Sequence, residues 1–485
     1  MDYYIGIDIG TTSTKAVAFS ALGEVLAQKT LGYPIIHPQQ NSSEQQPDDI
    51  VDAVKYCLQQ IAVQLPGYNP VVISFSAAMH SLILMDKDDN PLTNSIIWAD
   101  SRAAEVADIL KENNYGNNFY QLSGVPIHAM SPFCKVCWFK ENDPLLFANA
   151  KKFIGIKEYV FLRLFDKYII DTAIASATGL LNTELLQWDE NILLYAGIDK
   201  NQLSEIVPTT HVEYMHPTMF NNLTQQLLPF NKTAFVIGSS DGGLANLGTG
   251  ATAEGSMSIT VGTSSAARVV TQQPVTDELM RTFCYHLSGE QYIIGGASNN
   301  GAVVLQWLKE NILQNNEPYQ EFVRIAETVD AGSNGLIFLP YILGERAPLW
   351  NSNARGVYFG LHISHTTAHF VRAAMEAIVY NIYAIGKILM EKENIKIIYA
   401  NGGFADSIFW VQLLADMFNL PVFVPEMEES STLGAVMVGL QALNIPTKFD
   451  FKCGQTYQPN LVNHEIYLQQ AQKMDRLYEL VKHEF

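Results

Sequence analysis

Alternating apolar residues at the start of the chain predict a β-strand that ends in a polar turn. Isoleucine alternates with glycine and aspartate across residues 5–9, which is the period of a strand. The turn Gly-Thr-Thr-Ser at 10–13 follows, and residues 16–19 predict a second strand. Such a turn presents backbone N–H groups and hydroxyls to one point, which suits a phosphate, and Asp8 beside it could hold a magnesium ion through water. An ordinary hairpin with a polar tip fits the same pattern.

Three further predicted strands end in polar residues. The apolar run at 71–76 is followed by Ala-Ala-Met-His at 77–80, and the segment 96–102 runs from Ile-Ile into Trp-Ala-Asp-Ser-Arg. Residues 235–240 predict a strand that leads into a glycine-rich turn, which puts Asp241 at the start of the next helix. Ligands bind at strand ends in an open α/β sheet, so these positions are candidates for a site. For Asp241, a helix N-cap is the alternative.

Residues 256–270 repeat the design of the opening segment. A predicted strand leads into the turn Gly-Thr-Ser at 262–264, and a second strand follows. Gly10 and Gly262 are 252 residues apart, about half of the chain. Because internal repetition reveals architecture, two similar halves predict two domains that face each other across a cleft. Chance similarity between two short polar turns is the alternative.

A glycine pair follows another predicted strand nearer the C-terminus. Residues 397–401 are apolar and lead into Gly402 and Gly403, after which a helix is predicted to about residue 419. Glycines let a planar ring lie against the backbone, which suits adenine and ribose; tight strand–helix packing is the alternative. The apolar stripe at 367–391 predicts a long core helix rather than a cofactor site.

Composition indicates a globular protein with more than one domain. A chain of 485 residues exceeds the size of a single core, and 48% hydrophobic with 16% charged residues is ordinary for a globular protein. The net charge of −19 argues against a nucleic-acid partner, because phosphate backbones need a basic surface. An anionic substrate would need local cations or a metal to offset that charge.

Cysteine and histidine patterns give little sign of a metal or redox site. Cys134 and Cys137 form a lone C-x-x-C in an apolar stretch, so buried reduced thiols are favoured over zinc or redox chemistry. The histidines at 362, 365 and 369 lack a carboxylate or cysteine at ligand spacing. With no signal peptide and no apolar run of membrane-spanning length visible, we expect a cytoplasmic protein with no membrane partner.

Taken together, the motifs resemble those of the FGGY carbohydrate kinases, within the actin, Hsp70 and hexokinase superfamily. The resemblance extends over nearly the whole chain. Residues 8–15 look like the family's first phosphate motif, 262–264 like the second and 401–403 like the adenosine motif. Residues 130–142 and 356–376 match the two family signatures.

The family resemblance implies a fold and a division of the chain. It implies an α/β protein with two ribonuclease H-like domains around a central cleft. Residues 1–247 would form the N-terminal domain, and 248–485 the C-terminal domain with the adenosine pocket.

The resemblance also assigns roles to individual residues. It makes Asp241 the base that accepts the proton of a sugar hydroxyl, ATP the phosphoryl donor and Mg²⁺ the metal, with Asp8 in its outer shell. Contacts to the nucleotide are assigned to Asp8, Thr11, Thr12, Lys15, Thr263, Gly301, Gly402, Gly403, Phe404 and Ser407. Contacts to the sugar are assigned to Met79, His80, Trp98, Asp100, Arg102, Asp241 and Arg346.

Three motif segments, at 76–82, 98–102 and 344–348, look most like gluconate kinases, so the expected substrate is D-gluconate. Arg102 and Arg346 are the candidate partners of its carboxylate. A xylulose or other pentulose kinase, which shares the Met-His pair at 79–80, is the alternative, whereas glycerol kinases carry Arg-Glu there. An actin- or Hsp70-like ATPase is an alternative from another class. The oligomeric state stays open, with a homodimer as one option.

Overall fold

The structure is a computed structural model that describes residues 1–215, 225–426, 429–446, 449, 451 and 453–485. The chain divides into two units. The first unit contains residues 1–250, 271–293 and 429–450, and the second contains 251–270, 294–428 and 451–485.

Strands and helices are mixed along the chain, in agreement with the α/β prediction. The strands are β1 Asp2–Ile9, β2 Ser13–Phe19, β3 Val25–Gly32, β4 Glu44–Gln45, β5 Asn69–Ala77, β6 Ile83–Met85, β7 Ser95–Ile96, β8 Lys152–Ile154, β9 Ile169–Asp171, β10 Leu181–Asn182, β11 Gln187–Trp188, β12 Glu205–Val207, β13 Val212–Glu213, β14 Ala234–Ser240, β15 Ser256–Val261, β16 Ser265–Thr271, β17 Phe283–Ser288, β18 Gln291–Ser298, β19 Ile337–Leu339, β20 Val357–Phe359, β21 Ile397–Asn401, β22 Val422–Pro425 and β23 Gly454–Tyr457. The α-helices are α1 Pro47–Gln64, α2 Ala104–Glu112, α3 Asn114–Ser123, α4 Pro132–Asn142, α5 Pro144–Asn149, α6 Ile156–Phe165, α7 Thr172–Ser176, α8 Glu190–Ala196, α9 Asp241–Gly248, α10 Ala302–Trp307, α11 Tyr319–Arg324, α12 Thr367–Lys392, α13 Ile408–Phe418, α14 Ser430–Ala442 and α15 Leu461–Val481. Short 3₁₀ or π segments lie at Lys200–Gln202, Gln225–Phe230, Leu308–Ile312, Ile325–Thr328, Ser333–Gly335, Gly403–Asp406 and Lys482–Glu484.

The sheet of the first unit brings three predicted strand ends to one edge. Its strand order is β13, β14, β5, β1, β2, β3, and β1 forms the predicted antiparallel hairpin with β2. Strand β5 runs parallel to β1, in the register that pairs Asp8 with Ser76. Strand β14 runs parallel to β5, in the register that pairs Ser240 with Ala77. Parallel strands place their carboxyl ends together, so Asp8 and Asp241 lie at the same edge.

The core of the first unit lies beneath this sheet. Phe75 on β5 contacts Phe161 edge-on with ring centroids 5.1 Å apart, and it stacks on Phe235 of β14 at 6.5 Å. The alternating isoleucines of β1 are fully buried in the same cluster. Most of β5 is buried, which explains why it reads as an apolar run in the sequence.

Helix α14 belongs to the first unit although it lies near the C-terminus of the chain. A Cβ on Gly6 of β1 would lie 2.0 Å from the carbonyl oxygen of Thr432, and one on Gly434 would lie 2.0 Å from that of Leu244 in α9. Glycine therefore permits the backbones to approach closely on both sides of α14. The division expected from sequence placed residues 430–442 in the second domain. The structure groups them with the first, because this packing is set by residues distant in the chain.

The second unit repeats the strand–turn–strand design that the sequence predicted. Strand β15 pairs antiparallel with β16 and parallel with β21, and β21 continues parallel to β22, which pairs antiparallel with β23. Helix α12 is long and apolar enough to cross a membrane, against the expectation that no such run exists. However, 78% of its apolar window is buried inside the protein, as expected for a core helix.

Cys134 and Cys137 are buried free thiols on α4, as predicted. Burial raises the pKa of both thiols, so neither is activated as a nucleophile. Among the described residues, no group of three or more His, Cys, Asp or Glu side chains is arranged to hold a metal ion.

The glycine contacts of α14 generate a stability prediction. Gly434→Ala puts a methyl group against a backbone oxygen that cannot move away, so we expect a loss of about 1–3 kcal/mol in unfolding free energy. This loss exceeds the gain of about 1 kcal/mol that alanine brings to a helix interior. Thermal unfolding followed by circular dichroism measures it. Gly32→Ala is the control, because its Cβ would lie 3.6 Å from its nearest neighbour; equal melting temperatures for the two variants would contradict the packing account.

Candidate active site

Asp8 carries the central carboxylate of the first unit's sheet edge. Ser76 Oγ donates a hydrogen bond of 2.6 Å to Asp8 Oδ1. Burial raises the pKa of Asp8 to about 6, and the negative charge of Asp241 adds to this, against the lowering effects of Ser76 and Lys15. Two carboxylates are thus close enough to destabilise each other's charge.

Asp241 is the first residue of α9, and Ser240 is the N-cap. The Ser240 side chain accepts a hydrogen bond from the Gly243 N–H, while Asp241 Oδ1 accepts one of 2.7 Å from the Gly242 N–H. The N-cap explanation considered for Asp241 therefore does not apply. A carboxylate in the first turn of a helix is also favoured by the positive end of the helix dipole.

A buried lysine fixes the strand end that carries Asp241. Lys157 Nζ donates to the carbonyl oxygens of Ser239 at 2.9 Å and Ile237 at 3.2 Å. It also forms an ion pair of 2.7 Å with Asp171, which caps helix α7. Burial lowers the pKa of Lys157, whereas the Asp171 charge raises it.

The first phosphate turn is held from two sides. The Gly10 N–H donates to the Ser13 carbonyl at 3.0 Å, and the Tyr33 hydroxyl donates to the Gly10 carbonyl at 2.7 Å. Thr11 Oγ1 accepts a hydrogen bond of 3.0 Å from the Trp98 indole N–H. Thr12 is exposed at the tip of the turn.

Lys15 is not a freely solvated strand-end lysine. Its Nζ contacts the two carboxylate oxygens of Glu429 at 3.0 and 3.1 Å. Glu429 is 414 residues away in the sequence. The positive charge that the motif brings to the turn is therefore largely offset in this structure.

His80 is held in an unusual backbone conformation at the end of β5. Its φ angle of 69° lies in the left-handed region, which is uncommon for a residue with a side chain. Nδ1 lies 2.9 Å from the Ala177 carbonyl oxygen, which assigns the proton to Nδ1 and leaves Nε2 as an acceptor. The Tyr285 hydroxyl lies 3.5 Å from Nε2.

A small cavity lies beside these residues. Its lining includes Gly10, Thr11, Gln45, Met79 and Trp98. Both Met79 and Trp98 are partly exposed. The structure thus brings two of the predicted sugar-contacting residues next to the predicted phosphate turn.

Asp100 and Arg102 are engaged with each other. Both Asp100 oxygens contact the Arg102 guanidinium at 2.8 Å, and the Ser43 N–H donates to Oδ2 at 2.8 Å. Arg102 also pairs with Glu44. The Asp100 side chain has no exposed surface. This arrangement favours a supporting role for both residues over the substrate contacts that the sequence suggested.

The second phosphate turn lies in the second unit and is closed by Gly301. The Gly262 N–H donates to the Ser264 carbonyl at 2.9 Å, and the Gly301 N–H donates to the Thr263 carbonyl at 3.2 Å. A Cβ on Gly301 would lie 2.6 Å from the Gly262 carbonyl oxygen. Glycine at 301 is therefore required by the turn, and the Thr263 side chain stays exposed.

The glycine pair of the predicted adenosine motif leaves an open backbone surface. Gly402 has a φ of 95° and lies against the Val261 carbonyl, while a Cβ on Gly403 would meet nothing within 4 Å. Phe404 is buried against Trp410, with ring centroids 5.9 Å apart. Ser407 is the N-cap of α13. Gly402 and Gly403 therefore fit the predicted contact, whereas the side chains of Phe404 and Ser407 already have structural partners.

Arg346 lies in a buried polar network of the second unit. Arg346 Nη2 donates to the Ser298 carbonyl at 3.2 Å, and only 8% of the residue is exposed. Glu345 accepts hydrogen bonds from Asn300, Asn381 and the Arg346 N–H. Burial raises the pKa of Glu345, and its hydrogen bonds lower it.

Comparison with known families decides the identity of this arrangement. Residues 3–248 match the N-terminal domain of the FGGY family of carbohydrate kinases, and residues 257–443 match its C-terminal domain. The chain belongs to this family. It is therefore a carbohydrate kinase, which takes a sugar as acceptor and ATP as phosphoryl donor, and the actin- or Hsp70-like alternative is not supported.

Similar proteins are named either gluconate kinases or xylulose kinases. A gluconokinase from Bacillus licheniformis is 44% identical over 463 residues, covering 92% of this chain and 89% of the relative. The crystal structure of a gluconate kinase from Lactobacillus acidophilus has a TM-score of 0.93 at 35% identity, covering 99% of this chain and 98% of that one. A ligand-bound xylulose kinase from Lactobacillus acidophilus also has a TM-score of 0.93 at 35% identity, covering 99% of both chains. These matches confirm the predicted two-domain α/β kinase fold.

Several supporting residues of the kinase were missed by the sequence analysis. They are Glu44, Gln45, Lys157, Tyr285 and Glu429. Each reaches its partner across a long stretch of chain, and Tyr285 and His80 are 205 residues apart. No local motif marks such contacts. For Lys157, the position of a lysine within a largely apolar helical segment was a usable signal, because an unpaired lysine is rarely buried.

The residues at the sheet edge fit a magnesium ion. Mg²⁺ is held by one or two carboxylates together with substrate phosphates, and Asp8 and Asp241 offer two electrostatically coupled carboxylates. A divalent cation there would relieve the repulsion between them.

The raised pKa of Asp8 generates a pH-dependent stability prediction. Its folded pKa is about 6, above the ordinary value of 3.8, so the charged carboxylate costs stability above pH 6. That cost disappears when the group is protonated in both states, below about pH 4. Asp8→Asn should therefore raise the melting temperature by about 1–3 °C near neutral pH and leave it unchanged below about pH 4.

Differential scanning fluorimetry across this pH range measures the effect without magnesium. Asp166→Asn is the matched control, because Asp166 is exposed and its φ of 56° is one that asparagine accepts. If Asp8→Asn changes the melting temperature equally at all pH values, or by the same amount as the control, the ionised Asp8 carboxylate does not destabilise the folded protein.

Proposed function

We propose that the protein transfers the γ-phosphate of Mg-ATP to the 6-hydroxyl of D-gluconate. The observation that carries the chemistry is the electrostatic coupling of Asp8 and Asp241 at the sheet edge that also carries the first phosphate turn. The choice of gluconate is supported by the 44% identity to a gluconokinase.

Asp241 is the proposed general base. A sugar hydroxyl is a weak acid, so a carboxylate need only accept its proton late, as the new O–P bond forms. The Gly242 N–H orients the Asp241 carboxylate, and the helix dipole favours a negative charge at this position. Lys157 stabilises the strand end beneath it without contacting the substrate.

The phosphates and the adenosine are assigned to backbone and hydroxyl groups. Thr11 and Thr12 on the first turn and Thr263 on the second would donate to phosphate oxygens, and Gly402 and Gly403 would lie against the adenosine. Mg²⁺, held through Asp8, would neutralise charge that develops on the phosphates.

The sugar is assigned to His80 and Trp98, of which Trp98 lines the small cavity beside the first phosphate turn. His80 Nε2 would accept a hydrogen bond from a hydroxyl, and Trp98 would offer an apolar wall for carbon–hydrogen faces. Asp100 and Arg102 would hold the loop that carries Trp98. Arg102 is paired with Asp100 and Glu44, so Arg346 is the proposed partner of the gluconate carboxylate. We expect the reaction to take place in the cytoplasm. A homodimer is one option for the oligomeric state.

A pentulose kinase is the second candidate function. The observation that favours it is the equal structural similarity to a protein described as a xylulose kinase. The Met79–His80 pair is compatible with both substrates.

A substrate panel separates the two candidates. Purified protein with Mg-ATP is assayed for ADP release with D-gluconate, D-xylulose, glycerol or no sugar. We expect kcat/KM for D-gluconate to exceed that for D-xylulose by about 100-fold, since a site built for a polar group rejects an analogue that lacks it. A preference for D-xylulose would favour the second candidate, and sugar-independent ADP release would contradict both.

Replacement of the base gives a second test. Asp241→Asn retains the size and much of the hydrogen bonding of the side chain but cannot accept the proton. We expect kcat to fall by about 10²–10⁴-fold while the KM values for ATP and gluconate change by less than about threefold. An Asp241→Asn protein with near-normal kcat would refute the assignment.

A further inference from the structure

Helix α4 contains a fully buried lysine that the proposed chemistry does not use. Lys135 lies in the first family signature, and its residue has no exposed surface. Its Nζ donates to the carbonyl oxygens of His80 at 2.7 Å, Ile97 at 2.8 Å and Ile96 at 3.2 Å. An ammonium group has three N–H donors, so these carbonyls use its full capacity.

The three carbonyls belong to the two loops that carry the proposed sugar contacts. One is the carbonyl of His80 itself, and the other two immediately precede Trp98 in the chain. These loops are separate in sequence. A backbone bridge between Leu82 and Ile96 joins them at one point, and the Lys135 ammonium joins them at a second. Lys135 therefore lies directly behind both recognition side chains without contacting the substrate position.

The backbone conformation of His80 explains why the Lys135 ammonium is useful beside its carbonyl. A left-handed backbone is unfavourable for a residue with a side chain. The Lys135 ammonium donates to the His80 carbonyl oxygen at 2.7 Å, which stabilises the orientation that this carbonyl takes in the left-handed conformation. The Ala177 carbonyl then orients the imidazole through Nδ1. The His80 ring is thus fixed by one contact to its backbone and one to its side chain.

Burial of the cation is expensive, which argues against simple space filling. Burial lowers the pKa of Lys135 to about 7, with the Asp100 charge raising it and Arg102 lowering it. An apolar residue of similar length would avoid the desolvation cost but remove the ammonium hydrogen bond from all three carbonyl oxygens. The carbonyls of Ile96 and Ile97 would each keep one backbone donor, the Leu82 N–H and the Asp100 N–H respectively.

We propose that Lys135 is a positioning residue for sugar recognition, whose ammonium joins the carbonyls of His80, Ile96 and Ile97 and so fixes the two loops that present His80 and Trp98. This inference rests on the proposed sugar site. Loss of the ammonium should therefore weaken sugar binding and leave the nucleotide contacts intact.

The test compares Lys135→Met with wild type and with Lys55→Met. Lys55 is a matched control, because it is also buried on a helix of the first unit but pairs with the exposed Asp52. For Lys135→Met we expect the KM for D-gluconate to rise by about 10-fold or more, with the KM for ATP changed by less than about twofold. Lys55→Met should leave both KM values unchanged.

The wild-type assay separates failure of this inference from failure of the proposed function. If wild type does not phosphorylate D-gluconate, the proposed function fails, and the same comparison is made with the sugar that the panel identifies. If wild type is active and Lys135→Met leaves the sugar KM unchanged, or raises both KM values equally, the positioning role is wrong.

A second measurement applies if Lys135→Met does not fold. Amide hydrogen exchange in wild type reports directly on the two loops. Slow exchange at 78–82 and 95–98, comparable with that of the core strand β5, supports the inference. Fast exchange at either loop would overturn it, because a loop held by the ammonium cannot open freely.

Discussion

Two carboxylates at one edge of the first unit's sheet are the feature on which the proposed chemistry depends. Asp8 and Asp241 lie at this edge because β1, β5 and β14 are parallel. Burial raises the pKa of Asp8 to about 6, and the negative charge of Asp241 adds to this effect. Such strain is a cost to the free protein. A divalent cation bound at this edge would offset that cost, because both carboxylates would then face its positive charge.

The surroundings of this pair are built from buried cations that bind carbonyl oxygens. Lys157 holds the end of β14 beneath Asp241, and Lys135 holds the loops that carry His80 and Trp98. Both lysines donate to backbone carbonyl oxygens, and Lys157 also forms an ion pair with Asp171. In a protein of net charge −19, these two buried cations thus contact the backbone beside residues proposed for catalysis and sugar binding.

Features that depend on residues close together in the chain could be predicted from the sequence. Features that depend on contacts between distant residues could not. The hairpin at residues 2–19, its repeat at 256–271 and the core helix α12 depend on local periodicity, and they were predicted correctly. The placement of α14 in the first unit depends on glycine contacts with Leu244 and β1 across the chain, which no local pattern records. The motif at 98–102 marked a loop whose Trp98 contacts the first phosphate turn, but it could not show that Asp100 and Arg102 pair with each other. Residue types predict chemistry, whereas the direction of a side chain is set by tertiary contacts.

The most direct test of the account is the identity of the product. A ¹H–³¹P correlation NMR spectrum is recorded after incubation of the protein with Mg-ATP and D-gluconate, alongside a reaction with Asp241→Asn at the same concentration. The account predicts a new phosphorus signal that correlates with the two protons on C6 of gluconate in the wild-type reaction and is absent from the variant over the same period. A phosphate on another carbon, or the same product formed equally fast by the variant, would contradict it.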